Sequence, residues 1–231
     1  MPADDIQLQE ILASNAAWAA DVLKGNPQFF AATEAQYQQQ RPHTLWIGCA
    51  DSRVSEAAVI PDVNPGEIFV HRNIANQLHL DDNNALSVLQ YAVDELKVRR
   101  VIIVGHTRCG GVAAALGEAR SRAAPLSASS PPAGKLALSQ WLEPFTQTVV
   151  GLLPQLAGLS EAEAVQRLVD VNVKEQVAQL ARTQTISNAW AKYATEDRAA
   201  VWIHGFVYDL DTGLLRDLHI SQGPPGSELP K

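Results

Sequence analysis

An α/β fold with a mainly parallel central sheet is predicted by three features of the sequence. Short apolar runs alternate with helical segments, two of those runs end in Gly-flanked turns, and the last two runs are joined by Asp211-Thr212-Gly213. Strands alternating with helices imply right-handed crossovers and hence parallel neighbours, with helices flanking the sheet. The Asp-Thr-Gly junction reads instead as an antiparallel hairpin at one edge. With 231 residues, 46% of them hydrophobic, the chain can bury a full core, and residues 1–231 read as a single domain.

Taken in order, residues 5–24 place Leu8, Ile11, Leu12, Trp18, Val22 and Leu23 at helical spacing until Gly25 stops the run. With a second short helix expected over 28–39, they form an N-terminal helical arm, residues 1–40. An arm ahead of the first strand needs a surface to lie on, either its own domain or a neighbouring subunit. Strands are expected over 44–49, 67–72, 100–105, 200–208 and 214–220. Asp82-Asn83 caps a helix to about Lys97, whose Leu86, Leu89, Val93 and Leu96 share one face. Another helix begins near Cys109, a long one spans about 161–181, and one runs from Thr185 to Tyr193. Residues 117–134, rich in Gly, Ala, Ser and Pro, read as an exposed low-complexity loop within the domain.

A formal net charge of −7 leaves no basic face for phosphates and argues against nucleic acid as a partner. It suits a protein that handles small molecules, although an anionic one would need a local positive site. No apolar run approaches the roughly 18 residues of a membrane span. Residues 1–24 hold Asp4, Asp5, Glu10 and Asp21 against Lys24, the wrong balance for an organelle presequence. Two cysteines would add little as a disulfide framework. A reducing, cytoplasmic setting with free thiols is therefore expected.

The chemistry gathers at strand ends. Cys49 closes the run Leu45-Trp46-Ile47-Gly48-Cys49, and His106 and Cys109 follow Val101-Ile102-Ile103-Val104-Gly105. In open parallel sheets, ligands collect outside the carboxyl ends of the strands. If those two strands are adjacent, Cys49, His106 and Cys109 can meet. They would then supply three metal ligands and leave a fourth position open, as catalytic zinc requires. Cys109 begins a helix, where the backbone dipole favours a thiolate. Asp51 and Arg53, two apart on extended chain, can point the same way as Cys49. Arg fixes a carboxylate with two parallel hydrogen bonds, and an ionised Asp only accepts. A zinc-bound hydroxide beside it would donate its hydrogen to Asp51 and aim a lone pair at the substrate. Two thiolates neutralise the metal, so the bound water should acidify less and activity should favour alkaline pH.

The segments Cys49-Ala50-Asp51-Ser52-Arg53 and His106-Thr107-Arg108-Cys109-Gly110-Gly111 resemble the motifs of the β-class carbonic anhydrases. The similarity continues through Pro65-Gly66-Glu67-Ile68-Phe69-Val70-His71-Arg72-Asn73-Ile74-Ala75-Asn76 and His204-Gly205-Phe206-Val207-Tyr208, and the His-Thr-x-Cys-Gly-Gly form is most like fungal members. The resemblance implies one zinc per chain on Cys49, His106 and Cys109, an Asp51–Arg53 dyad, and reversible hydration of CO2 to bicarbonate. It implies Gln40 and the backbone at Gly110 as polar contacts to substrate. It also implies Phe69 and Tyr91 as walls of a CO2 pocket partly supplied across a dimer interface, so a homodimer or a dimer-based homo-oligomer such as a homotetramer. In a subset of the family, residues matching Trp46, Arg72 and Tyr208 form a bicarbonate pocket that switches the enzyme off, the Asp then leaving its Arg for the fourth zinc position.

Two other readings stay open. A relative that hydrolyses carbonyl sulfide or carbon disulfide would keep the same zinc and dyad. A metal-free hydrolase would use Cys49 or Cys109 as nucleophile with His106 as base. A phosphate-binding loop fails, because Gly110 is followed by Gly111 and Val112 instead of Lys and Ser or Thr. Among the other histidines, His43 and His79 are expected to be exposed, His219 to sit on an edge strand, and His204 to satisfy its ring within the sheet.

Overall fold

Residues 8–31, 40–61, 64–124, 136–195 and 199–228 are described in the computed structural model. The chain falls into two units, Met1–Arg41 and Pro42–Lys231. In the first, helix α1 (Leu8–Gly25) ends at the expected glycine. The chain then turns, with Asn26 accepting from the Gln28 N–H at 3.1 Å, and Phe30 meets Trp18 edge-on at 5.8 Å. Ile11, Leu12, Trp18 and Leu23 of α1 are exposed. The second expected helix begins at Phe29, and residues 32–39 lie outside the described residues.

The second unit holds the sheet. Strands β1 (Thr44–Cys49), β2 (Ile68–Asn73), β3 (Arg100–His106) and β4 (Trp202–Tyr208) run parallel in the order β2-β1-β3-β4, and β5 (Leu215–Asp217) pairs antiparallel with β4. A mainly parallel sheet with an antiparallel edge hairpin is thus as expected. The last strand is shorter than the expected 214–220. Asp217 accepts from the His219 N–H at 2.7 Å, and His219 turns to a left-handed φ of 53°, which lifts the chain off the ladder. Exposed His219 therefore lies beyond the edge strand, not on it.

Helices cover the faces. They are α2 (Glu56–Val59), α3 (Asn83–Gln90) continuing into a π turn at Tyr91–Glu95, α4 (Gly110–Ala123), α5 (Ala137–Leu156), α6 (Glu161–Ala181) and α7 (Gln184–Thr195). Asp82 caps α3 through the Asn84 N–H, and a reciprocal Ser160–Glu163 capping box starts α6. Burial on both faces explains why β1 and β3 are continuously apolar instead of alternating. No helix among the described residues is long and apolar enough to cross a membrane.

Two expectations need correcting. The loop expected over 117–134 starts late: residues 117–123 are the end of α4, held by Arg122, which donates to Glu118 one turn back and to Glu143 on α5. Residues 125–134 lie outside the described residues. Helix α5 was not anticipated, because Pro144 and Pro154 each remove a backbone donor from its interior. Burial of Leu142, Phe145, Thr146 and Val149, all on one face, outweighs that cost.

Candidate metal centre

After β1 the chain crosses to β2 on one side and then to β3 on the other, so the connections diverge at the carboxyl ends of β1 and β3. Such a divergence opens a crevice. Cys49 is the last residue of β1 and His106 the last of β3. Cys109 is the cap residue of α4, reached through a turn in which Arg108 takes a left-handed φ of 56°. The Cys49 and Cys109 sulfurs lie 4.0 Å apart, and the ligand atoms of Cys49, His106 and Cys109 all fall within 4.8 Å of one another. All three side chains are buried. The turn is anchored to the β4–β5 hairpin by the Leu210 N–H donating to Thr107 Oγ1 at 2.9 Å and by Arg108 on Asp211 at 2.6 Å.

The chemistry of this cluster suits a metal. His106 Nδ1 lies 2.9 Å from the Thr107 carbonyl, which can only accept, so Nδ1 carries the hydrogen and Nε2 presents a bare lone pair. Nε2 is buried and has no hydrogen-bond partner. Leaving such an atom unpaired costs about 1–3 kcal/mol unless something else occupies it. The two thiols share one hydrogen bond: it lowers the pKa of Cys49, and it raises that of Cys109 together with burial. Two buried sulfurs 4.0 Å apart resist carrying two negative charges unless a cation sits between them. Two sulfurs and an imidazole nitrogen fit zinc, which takes that mixed donor set.

Asp51 and Arg53 meet as expected, but by a different route. The chain does not stay extended past Cys49; it turns at Ser52-Arg53, and Asp51 Oδ1 accepts from the Arg53 backbone N–H at 2.9 Å. The guanidinium completes a fork, Nε to Oδ1 at 3.0 Å and Nη2 to Oδ2 at 2.7 Å. Oδ2 lies 3.9 Å from His106 Nε2, so the carboxylate faces the cluster. The Arg53 hydrogen bond holds the Asp51 carboxyl well below the usual carboxylate range.

The remaining expected residues fall in separate places. Arg72 donates from Nε to the Cys49 carbonyl at 2.9 Å and from Nη2 to the Asp51 carbonyl at 2.6 Å. It pairs in register with Gly48, over which the Trp46 indole N–H lies so closely that a Cβ there would meet it at 2.2 Å. Trp46 forms a small apolar cluster with Ile102 and Val104, against which Tyr208 packs. Phe69 and Tyr91 approach to 5.9 Å between ring centres. Phe69 pairs with Leu45, four residues from Cys49, or about 13 Å at strand rise, so this aromatic pair stands away from its own chain's sulfurs. Gly110 is the exposed first residue of α4. Gln40 is exposed and belongs to the first unit.

Among the histidines, His43 is exposed as expected, and His204 Nδ1 sits 2.8 Å from Ser221 Oγ. His79 is a correction: it is partly buried, its ring 4.3 Å from that of Trp141 on the unanticipated α5. Sequence reading also missed three buried amides, Gln77, Asn172 and Gln176, which interlock beside the cluster. Their signal was Asn172 and Gln176 on the apolar face of α6.

Comparison with known proteins agrees with this geometry. A family model described as "Carbonic anhydrase" matches residues 44–215. A carbonic anhydrase of Emericella nidulans is 35% identical over 212 residues, 91% of this chain and 83% of that protein. The crystal structure of a tetrameric β-carbonic anhydrase from Sordaria macrospora superposes with a TM-score of 0.78 at 33% identity, covering 93% of this chain and 98% of that one. The β-carbonic anhydrase CafA of Aspergillus fumigatus gives 0.76 at 36% identity, covering 93% and 91%.

Proposed function

The chain belongs to the carbonic anhydrase family, in its β class and among its fungal-like members, and on that footing we propose that it hydrates CO2 reversibly with one zinc held by Cys49, His106 and Cys109. The observation that carries the proposal is the bare, buried Nε2 of His106 beside two sulfurs at the β1–β3 crevice. Zinc, if held there, would acidify water and so supply a nucleophile from neutral to alkaline pH.

The protein's own groups do the aiming. Asp51, ionised and held by the Arg53 fork, can only accept, and its Oδ2 faces the cluster. It fixes the direction of an O–H in the site and turns that oxygen's lone pair toward CO2. Arg53 spends its donors on Asp51 and thereby acts as a positioning residue. Gln40, the Gly110 backbone, Phe69 and Tyr91 are proposed substrate contacts, the aromatic pair serving a second copy of the chain. Two features support a homo-oligomer built from dimers: the exposed apolar residues of α1, and the distance of Phe69 from its own cysteines.

A cysteine-nucleophile hydrolase is disfavoured, because Cys49 and Cys109 are only 4% and 1% exposed and face each other. Stopped-flow CO2 hydration and metal analysis on the same sample test the proposal. About one zinc per chain and hydration that rises toward alkaline pH are expected. Rapid hydration by metal-free protein would end the zinc reading. Zinc with turnover of carbonyl sulfide or carbon disulfide, but not of CO2, would replace the substrate.

Regulation by bicarbonate is proposed at Trp46, Arg72 and Tyr208. The buried Trp46 Nε1–H has no partner, which supports a bound anion between it and Arg72. Arg72 also holds the Cys49 and Asp51 carbonyls, so an anion drawing on its guanidinium would loosen the segment that carries Asp51. Trp46→Phe is expected to weaken bicarbonate inhibition several-fold while uninhibited activity is kept. Identical inhibition curves for the two proteins would remove this switch.

A further inference from the structure

The turn Ile74–Asn76 lies under the metal cluster in a conformation its sequence does not favour: Ala75 has a φ of 61° and Asn76 a φ of 46°. Left-handed backbone at two consecutive residues with side chains must be held by its surroundings. The turn is held at each carbonyl in reach. Ile74 O accepts from Trp141 Nε1 at 2.9 Å. Ala75 O accepts twice, from Asn172 Nδ2 and Gln77 Nε2, both at 2.9 Å. Asn172 Oδ1 in turn takes Gln77 Nε2 at 2.6 Å and Gln176 Nε2 at 3.1 Å, while Gln176 Oε1 accepts the Leu78 N–H at 2.8 Å. Gln77, Asn172 and Gln176 are at most 3% exposed, so this network is sealed from water.

What the network supports lies on the other side of the Ala75 peptide. Asn73, which leads into the turn, pairs in register with Cys49, and its carbonyl accepts from the Ala50 N–H at 2.8 Å. Ala75 also sets the floor under the start of α4: a Cβ on Gly111 would come within 2.9 Å of Ala75 Cβ. One turn thus links the strand end beside Cys49 to the segment that follows Cys109.

We propose that Asn172, oriented by Gln176 and assisted by Gln77, is a positioning residue for the metal centre: by clamping the Ala75 carbonyl it fixes the turn against which Gly111, two residues after Cys109, packs. This rests on the zinc reading above. A residue on α6, nearly a hundred positions from the turn, therefore sets how firmly the Cys109 side of the site is held. Hydrogen bonds to ligand atoms, and the groups that orient them, typically change metal affinity by about 10–100-fold.

The test compares Asn172→Ala with Leu180→Ala, a buried change on the same helix that removes no side-chain hydrogen bond. Both are read in cobalt-substituted protein. Asn172→Ala is expected to shift the thiolate-to-cobalt charge-transfer band and to lose metal to a chelator about tenfold faster than wild type. Leu180→Ala, though destabilised, should keep the wild-type band and rate. Equal metal loss in the two variants would overturn the proposal. Gln77→Met, close in shape, removes the other donor to Ala75 and should give a smaller change of the same kind; it is the reading to use if Asn172→Ala does not fold, and an unchanged band there would also overturn it. Wild-type protein that takes up neither cobalt nor zinc would defeat the metal reading itself, a result distinct from failure at Asn172 alone.

Discussion

Replacing His106 with alanine is expected to leave CO2 hydration at the uncatalysed background and to strip the protein of zinc. On the proposed reading the imidazole is one of three ligands, and its Nδ1–H is tied to Thr107 so that Nε2 has one direction available. Protein zinc sites bind with about 10–16 kcal/mol, so a third of that, roughly 3–5 kcal/mol, corresponds to two to four orders of magnitude in affinity. The fold should survive, since the sheet and the apolar core between it and α4–α7 do not depend on this ring. Circular dichroism superimposable on wild type, with zinc absent by atomic absorption, is the expected pair of results. Wild-type hydration in a zinc-free His106→Ala protein would sink the metal-dependent reading at once.

Asp51→Asn should cost about 10²–10⁴ in kcat/KM, the range of a positioned proton-handling group, while zinc content stays at the wild-type level. Asparagine matches the shape and can still accept from the Arg53 backbone. Its amide nitrogen, however, must face either the Arg53 fork or the cluster, and it donates where Asp51 accepts. Because Arg53 holds the carboxyl well below the usual carboxylate range, Asp51 is ionised across the neutral and alkaline range. The loss should therefore be equally deep at pH 7 and pH 9. The sign for stability follows from the lowered folded value. The pair's contribution is fully present above the unfolded carboxyl pKa near 3.9, and it is lost as pH falls through the lower folded one. Urea midpoints of wild type and Asp51→Asn should differ by a constant amount from about pH 5 upward and converge only in strong acid. Wild-type kcat/KM in Asp51→Asn would remove the carboxylate from the mechanism.

The parts of this molecule legible in the sequence were those whose physics is local. Apolar runs at 44–49 and 100–105 read as buried parallel strands because nothing polar interrupts them. Cys49, His106 and Cys109 were legible because each stands at the end of such a run. Helix α6 was legible from its apolar spacing, and the Asp82 cap from its side chain. What was hidden depends on distant partners. Helix α5 was concealed by two prolines whose cost is met only by packing against α4 and α6. The Asp51–Arg53 contact was expected from strand alternation but is made by a turn. Asn172 and Gln176 looked like ordinary polar residues until Ala75 and Leu78 arrived beneath them.

The adjacency of β1 and β3 has a bearing on how the protein matures in the cell. One sulfur closes β1 and the other caps α4 just after β3, and α2, β2 and α3 lie between them along the polypeptide. During synthesis nothing can grip an ion from both sides until residue 109 has left the ribosome and that central pairing has zipped. Even then, Asn172 is still to be translated. On the proposed zinc reading, metal capture would be postponed to a nascent chain more than half made, and its grip would tighten when α6 closes over the turn.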